Sequence, residues 1–247
     1  MLTACGGSSS SDNKNNSALE SGIGNDINIC EFAFPAQDQI AIITEYRDGE
    51  TNPNKSITET TEVYQGGKQG TIITKEVNTY KSSDDTIHTT TYEDKRTFTI
   101  TDNQFKVFFE FYTNGEKSEF TDESTGTCLY TTGEQVTHPA DVNGDVADDI
   151  VYGPFNDASG LPIELDKSIK PLNYIIVVSR YKRLIDSENS DVKAFEYADV
   201  YFNVLNKEQG EVGRIAYEYC PLDVSLSLYG NQASVCHGTE VWTYKIQ

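Results

Sequence analysis

The chain has 247 residues, enough for one large all-β domain or two smaller ones, with ample material for a hydrophobic core. Lys and Arg total 19 against 39 Asp and Glu, a formal charge of −20. Such a field repels phosphate backbones and anionic head groups, so nucleic acid is not the expected partner. Hydrophobic residues make up only 37%, but 15 Tyr and 11 Phe bring the aromatics to 11%, which a disordered chain lacks. No stretch approaches the roughly 18 apolar residues of a membrane-spanning helix. The longest apolar run, Tyr174 to Val178, suits a buried strand, so attachment to a membrane is covalent or absent.

The chain opens with Leu2-Thr3-Ala4-Cys5, then Gly6, Gly7 and Ser8 to Ser11, and stays polar through Asn16. A Gly/Ser/Asn stretch of this kind cannot bury enough surface to fold and behaves as a flexible tether, expected over residues 1–28. The tetrapeptide resembles the lipobox of bacterial lipoprotein precursors, in which a peptidase cleaves before the Cys and acyl chains are added to it. The resemblance implies an exported lipoprotein in near-mature form, lipidated at Cys5. In Gram-negative families an Asp directly after the Cys often signals inner-membrane retention. Gly6 stands there, which implies the outer membrane.

Setting Cys5 aside leaves Cys30, Cys128, Cys220 and Cys236, an even set with three possible pairings. No C-x-x-C occurs and His237 is the only adjacent His, so zinc fits poorly. Two disulfides formed in an oxidising compartment are expected. The favoured pairing joins Cys220 to Cys236 across a short segment, and Cys30, at the end of the tether, to Cys128.

From Gln37 onward, runs rich in Thr, Ile, Val, Tyr and Phe alternate with turn residues. Ile40–Tyr46, Ile57–Tyr64, Thr71–Tyr80, Thr86–Tyr92 and Thr97–Thr101 read as successive strands of an antiparallel meander. Phe105, Val107, Phe109 and Phe111 give a strand with a period of two. Asn114-Gly115 predicts a type I′ turn, followed by a return strand over Lys117–Thr121. Thr127–Thr132, carrying Cys128, completes a first unit expected over residues 29–136. His138–Pro154 reads as a turn-rich connection. The remaining segment, 137–247, either continues the first unit or stands as its own. In it Tyr174–Leu184, Ala198–Val204, Gly213–Tyr219, Val224–Leu228 and Val241–Ile246 are expected strands. Asp191–Ala198 could instead form a short helix capped by Ser190. The predicted class is all-β, an antiparallel meander or sandwich or a partly open barrel, with little helix.

The segment with the most definite chemistry is Asp141-Val142-Asn143-Gly144-Asp145-Val146-Ala147-Asp148-Asp149. Oxygen-bearing side chains at its first, third and fifth positions can wrap one hard cation. An EF-hand would place Glu at the twelfth position, which here is Tyr152. The segment resembles the calcium loop of FG-GAP and integrin-type repeats. That resemblance implies side-chain ligation by Asp141, Asn143, Asp145 and Asp149 and a backbone carbonyl from Ala147. Asp148 falls off this spacing. Val146 stands where the motif has Gly, a departure from the pattern. Calcium is the expected cofactor.

Catalytic signatures are weak. His88, His138 and His237 are the only histidines, and no nucleophile elbow, zinc-protease motif or P-loop is present. Trp242, Tyr217, Tyr219 and Tyr244 could form a sugar-binding platform. Two classes of function remain. The first is a non-enzymatic envelope binding module with a calcium-stiffened loop, acting on an envelope or extracellular ligand. The second is an exported polysaccharide hydrolase, which would need an open cleft with facing carboxylates about 5–9.5 Å apart.

Overall fold

A computed structural model describes residues 23–51, 55–83, 85–138, 146–156, 161–170, 173–185, 194–228, 230 and 232–247. The strands are β1 (Asp26–Asn28), β2 (Gln39–Arg47), β3 (Lys55–Tyr64), β4 (Gln69–Lys81), β5 (Ile87–Thr101), β6 (Gln104–Thr113) and β7 (Glu116–Thr127). There follow β8 (Leu129–Thr131), β9 (Gln135–Thr137), β10 (Val146–Phe155), β11 (Tyr174–Ile185), β12 (Ala194–Asn206), β13 (Gly210–Cys220) and β14 (Gly238–Ile246). Twelve of them form one antiparallel sheet in the order β7-β6-β5-β4-β3-β2-β14-β13-β12-β11-β10-β9, while β1 and β8 pair separately. The large sheet does not close into a barrel. Two meanders thus approach from opposite edges, and the last strand, β14, fills the seam between β2 and β13.

The core is built where strands are buried on both faces. Tyr174, Ile175, Ile176 and Val178 have no exposed surface, as a continuous apolar run requires. On one face, Tyr174, Ile176 and Val178 pack with Val200, Phe202, Val204 and Ile215. Loop residues Ile163, Ile169, Val224 and Leu226 cover them. On the other face, Ile175, Val177, Val151 and Leu205 lie under Ile27, Phe32 and Tyr130. Each such side chain contributes about 1.5–3 kcal/mol on burial. A third cluster holds Ile72, Phe98 and Val107, with Phe34 stacked on Phe98 at 4.5 Å between ring centroids.

Beyond that cluster the β3–β7 wing has many half-exposed residues on both faces. It is held by its ladder and by cross-strand ion pairs such as Arg96–Glu59 at 2.7 Å and Lys95–Glu110 at 3.1 Å. Those pairs explain why Thr86–Tyr92 and Thr97–Thr101 are not separate strands. The charged residues between them are matched by neighbours, so β5 runs through as one strand. Asn114 and Gly115 have φ of 51° and 82°, the left-handed conformations that a type I′ turn requires.

Other expectations are corrected. His138–Pro154 is not all connection, since β10 occupies Val146–Phe155. Val224–Leu228 is not a strand; it is a covering loop whose alternate residues Val224 and Leu226 point into the core. Residues 194–198 belong to β12 rather than to a helix, and Ser190 lies outside the described residues. The disulfides join Cys30 to Cys128, with Cα atoms 5.2 Å apart, and Cys220 to Cys236, at 4.2 Å.

Candidate functional site on the inner strands

Side chains alternate along a strand, so Ile175, Val177, Ser179, Tyr181 and Arg183 of β11 share one face. In register with them on β12 are Leu205, Asn203, Tyr201, Asp199 and Tyr197. At one end of this face the apolar pair Ile175–Leu205 lies under the N-terminal segment. Toward the other end the same face turns polar and aromatic. There Tyr181, Arg183, Tyr201, Asn203 and, from β13, Arg214 line a depression of about 230 Å³.

Both guanidinium groups are held on two sides. The Arg183 Nε donates to Asp199 Oδ2 at 2.8 Å, and its charge lies 5.4 Å from the centre of the Tyr181 ring. The Arg214 Nε donates to Asn203 Oδ1 at 3.0 Å and its Nη2 to Glu211 Oε2 at 2.8 Å. Register places Trp242 of β14 opposite Arg214, with the guanidinium 4.8 Å from the indole centre. These cation–π contacts and carboxylate bonds leave each arginine little rotamer freedom. Burial alone would lower the Arg214 pKa, but Glu211, Tyr244 and Tyr201 together outweigh it and keep the group charged.

Tyr181 and Tyr201 meet edge to face, with ring centres 5.5 Å apart. Burial raises both phenols above their ordinary pKa, reinforced by Asp149 near Tyr181 and Asp199 near Tyr201. Both therefore stay protonated and can donate as well as accept. In the two residues that flank Arg214, Trp242 Nε1 and Glu211 Oε1 are buried without a hydrogen-bond partner among the described residues.

The acidic segment leads into the neighbouring strand. Asp141, Asn143 and Asp145 lie outside the described residues, as does Cys5. Ala147 and Asp149 lie on β10, opposite Tyr181 and Ser179, and so share the face of the depression. The Ala147 carbonyl accepts the His138 amide at 2.8 Å, which leaves it a second lone pair. Asp149 Oδ2 lies 2.8 Å from His138 Nε2, a bond that raises the His138 pKa, while Asp149 Oδ1 is buried and unpartnered. Asp148 points to the opposite face, 1% exposed. Burial would raise its pKa, but bonds from Thr137, Arg180 and Lys182 hold it down at about 2. Among the described residues no group of three or more His, Cys, Asp or Glu is placed to hold a metal ion.

The aromatic platform suggested by Trp242, Tyr217, Tyr219 and Tyr244 is not assembled. Tyr217 packs edge to face on Phe202 in the core, Tyr219 is exposed beside Tyr197, and Tyr244 is buried at 4% exposure. Trp242 stacks on Arg214, one of the residues that line the depression. The residues that line it give one signal in the sequence. After Val178 the apolar run of β11 breaks into Ser179-Arg180-Tyr181-Lys182-Arg183, polar residues and a tyrosine continuing a buried strand. No known family model matches the chain, and no curated protein or solved structure is significantly similar to it.

Proposed function

We propose that the chain is a lipid-anchored binding module of the bacterial cell envelope, held at the outer membrane through Cys5. Its envelope or extracellular ligand enters the depression formed by Tyr181, Arg183, Tyr201, Asn203 and Arg214. The observation that carries this reading is the lining itself, which offers rings and hydrogen-bonding groups but no carboxylate. A polysaccharide hydrolase would need two carboxylates facing its substrate, one as acid and one as base or nucleophile. Asp199 and Glu211 are each engaged by an arginine, and Asp149 by His138.

Calcium belongs to the same reading as a stiffener of the loop that precedes β10. Asp141, Asn143, Asp145 and Asp149 would hold it with side-chain oxygens and Ala147 with its carbonyl. Calcium takes six to eight oxygen ligands, and the buried, unpartnered Asp149 Oδ1 suits that role. The ion would bind and order, without a part in any reaction.

Two measurements test the proposal. The chain expressed behind a lipoprotein leader should incorporate labelled palmitate, and Cys5→Ser should not. Soluble envelope extract should slow amide exchange in β11–β13 of the wild type and not in an Arg183→Ala, Tyr201→Ala double variant. Equal labelling of both forms would overturn the anchor, and protection that survives the double substitution would overturn the site.

A further inference from the structure

We infer that the ligand of this depression is a neutral, polyhydroxylated glycan rather than an anion. The inference rests on the binding reading above. It comes from the balance of charge and hydrogen-bonding capacity at the site.

Arginines beside tyrosines ordinarily suggest a carboxylate or phosphate guest. Here each guanidinium already has its own carboxylate, Arg183 with Asp199 and Arg214 with Glu211, both at 2.8 Å. An incoming anion would compete with bound carboxylates at short range and meet the field of a chain of charge −20 at long range. A neutral guest meets neither cost.

The groups left over suit hydroxyls. The pocket offers phenolic O–H groups and the Asn203 amide, whose oxygen is already turned to Arg214. A guest that supplies both an acceptor and a donor satisfies these groups. A sugar hydroxyl does both at one atom. The Tyr181 and Tyr201 rings offer apolar surface to the C–H faces of a sugar ring. At about 230 Å³ the depression suits a ring or two of a longer chain rather than a large rigid ligand.

Trp242 is the only tryptophan in the chain and lies against Arg214, so its fluorescence reports on the neighbourhood of the site. The full chain is titrated with neutral oligosaccharides of glucose, mannose, galactose and xylose, with oligogalacturonate and with an acidic peptide, following Trp242 emission and heat. At least one neutral oligosaccharide should saturate the signal. Tyr181→Phe, which keeps the ring and removes one hydroxyl, should weaken it about tenfold, the order expected when a hydrogen-bonding site loses a partner. Tighter binding of oligogalacturonate or acidic peptide would overturn the neutral assignment while leaving a binding site in place. No response to any oligosaccharide, with extract still protecting β11–β13 from exchange, would overturn the glycan and leave the binding module. Failure of both measurements would overturn the two together.

Discussion

Glu59 of β3 shows how much of this protein's chemistry lies in single carboxyls placed under the sheet. Its Oε2 accepts from Arg96 Nη2 at 2.7 Å, and its side chain keeps only 12% of its surface exposed. Burial raises its pKa and Arg96 lowers it; the neighbouring Glu211 carboxylate reinforces the rise, and burial prevails. A carboxyl whose pKa is higher in the folded chain than in the unfolded one favours folding most when protonated. Its contribution is complete below the ordinary glutamate value and is lost as pH rises through the raised value. Wild-type stability, measured by urea unfolding, should therefore carry a component that falls with rising pH just above 4.5, the ordinary value. Glu59→Gln, which cannot ionise, should remove that component and flatten the difference curve. Parallel pH curves for the two proteins would contradict the assignment. Asp148 is the opposite case. Fixed by Thr137, Arg180 and Lys182, it is held low, and Arg180 and Lys182 would lose their shared carboxylate without it.

At the scale of elements, strands were legible where the alternation of side chains has a physical cause and obscure where it has a different one. Ile40–Tyr46 and Thr71–Tyr80 became β2 and β4 with little change of boundary, because β-branched residues, burial and turns agree there. Val224–Leu228 has the same alternation, yet it arises from a loop pressed on the core, and sequence pattern does not distinguish the two. The depression was less legible than the fold. Its residues come from three strands, and only the register of β11, β12 and β13 brings Arg183, Tyr201 and Arg214 together. Trp242 was readable as a candidate; its partner Arg214 was not, since a cross-strand cation–π contact leaves no spacing signature. The Cys220–Cys236 bond ties the end of β13 to the residue after the short helix Gln232–Val235, and so pins the covering loop between them. Its separation of 16 residues corresponds to about 3 kcal/mol of loop entropy in the chain model. Replacing both cysteines by Ala should lower the unfolding free energy by about that amount and speed exchange in β12 and β13, beneath Val224 and Leu226. Exchange that speeds in β12 and β13 no more than in the rest of the sheet would show that the bond acts only on the unfolded chain.

For the whole molecule, the charge of −20 sets the terms on which any cation acts. Any salt relieves the self-repulsion of such a chain, and the Debye length is already down to about 8 Å at physiological ionic strength. A rise in melting temperature with calcium is therefore informative only at constant ionic strength. Under that condition, ions that merely screen should be equivalent, whereas a bound ion stabilises by the logarithm of its saturation, about 2.7 kcal/mol at a hundred times its dissociation constant. Magnesium should compete poorly with calcium, because it demands near-octahedral geometry and gives up water reluctantly. The substitutions separate the loop from the sheet beneath it. Asp145→Ala removes an expected ligand and should abolish the calcium-specific rise while leaving calcium-free stability near the wild-type value. Asp148→Ala removes the carboxylate that Arg180 and Lys182 share at 2.6 and 3.2 Å. It should lower the calcium-free melting temperature sharply, since breaking a buried ion pair costs about 3–5 kcal/mol, yet it should keep the calcium increment. Magnesium matching calcium at equal ionic strength, or an increment that survives Asp145→Ala, would reduce the acidic segment to a charged turn and remove calcium from the account of this protein.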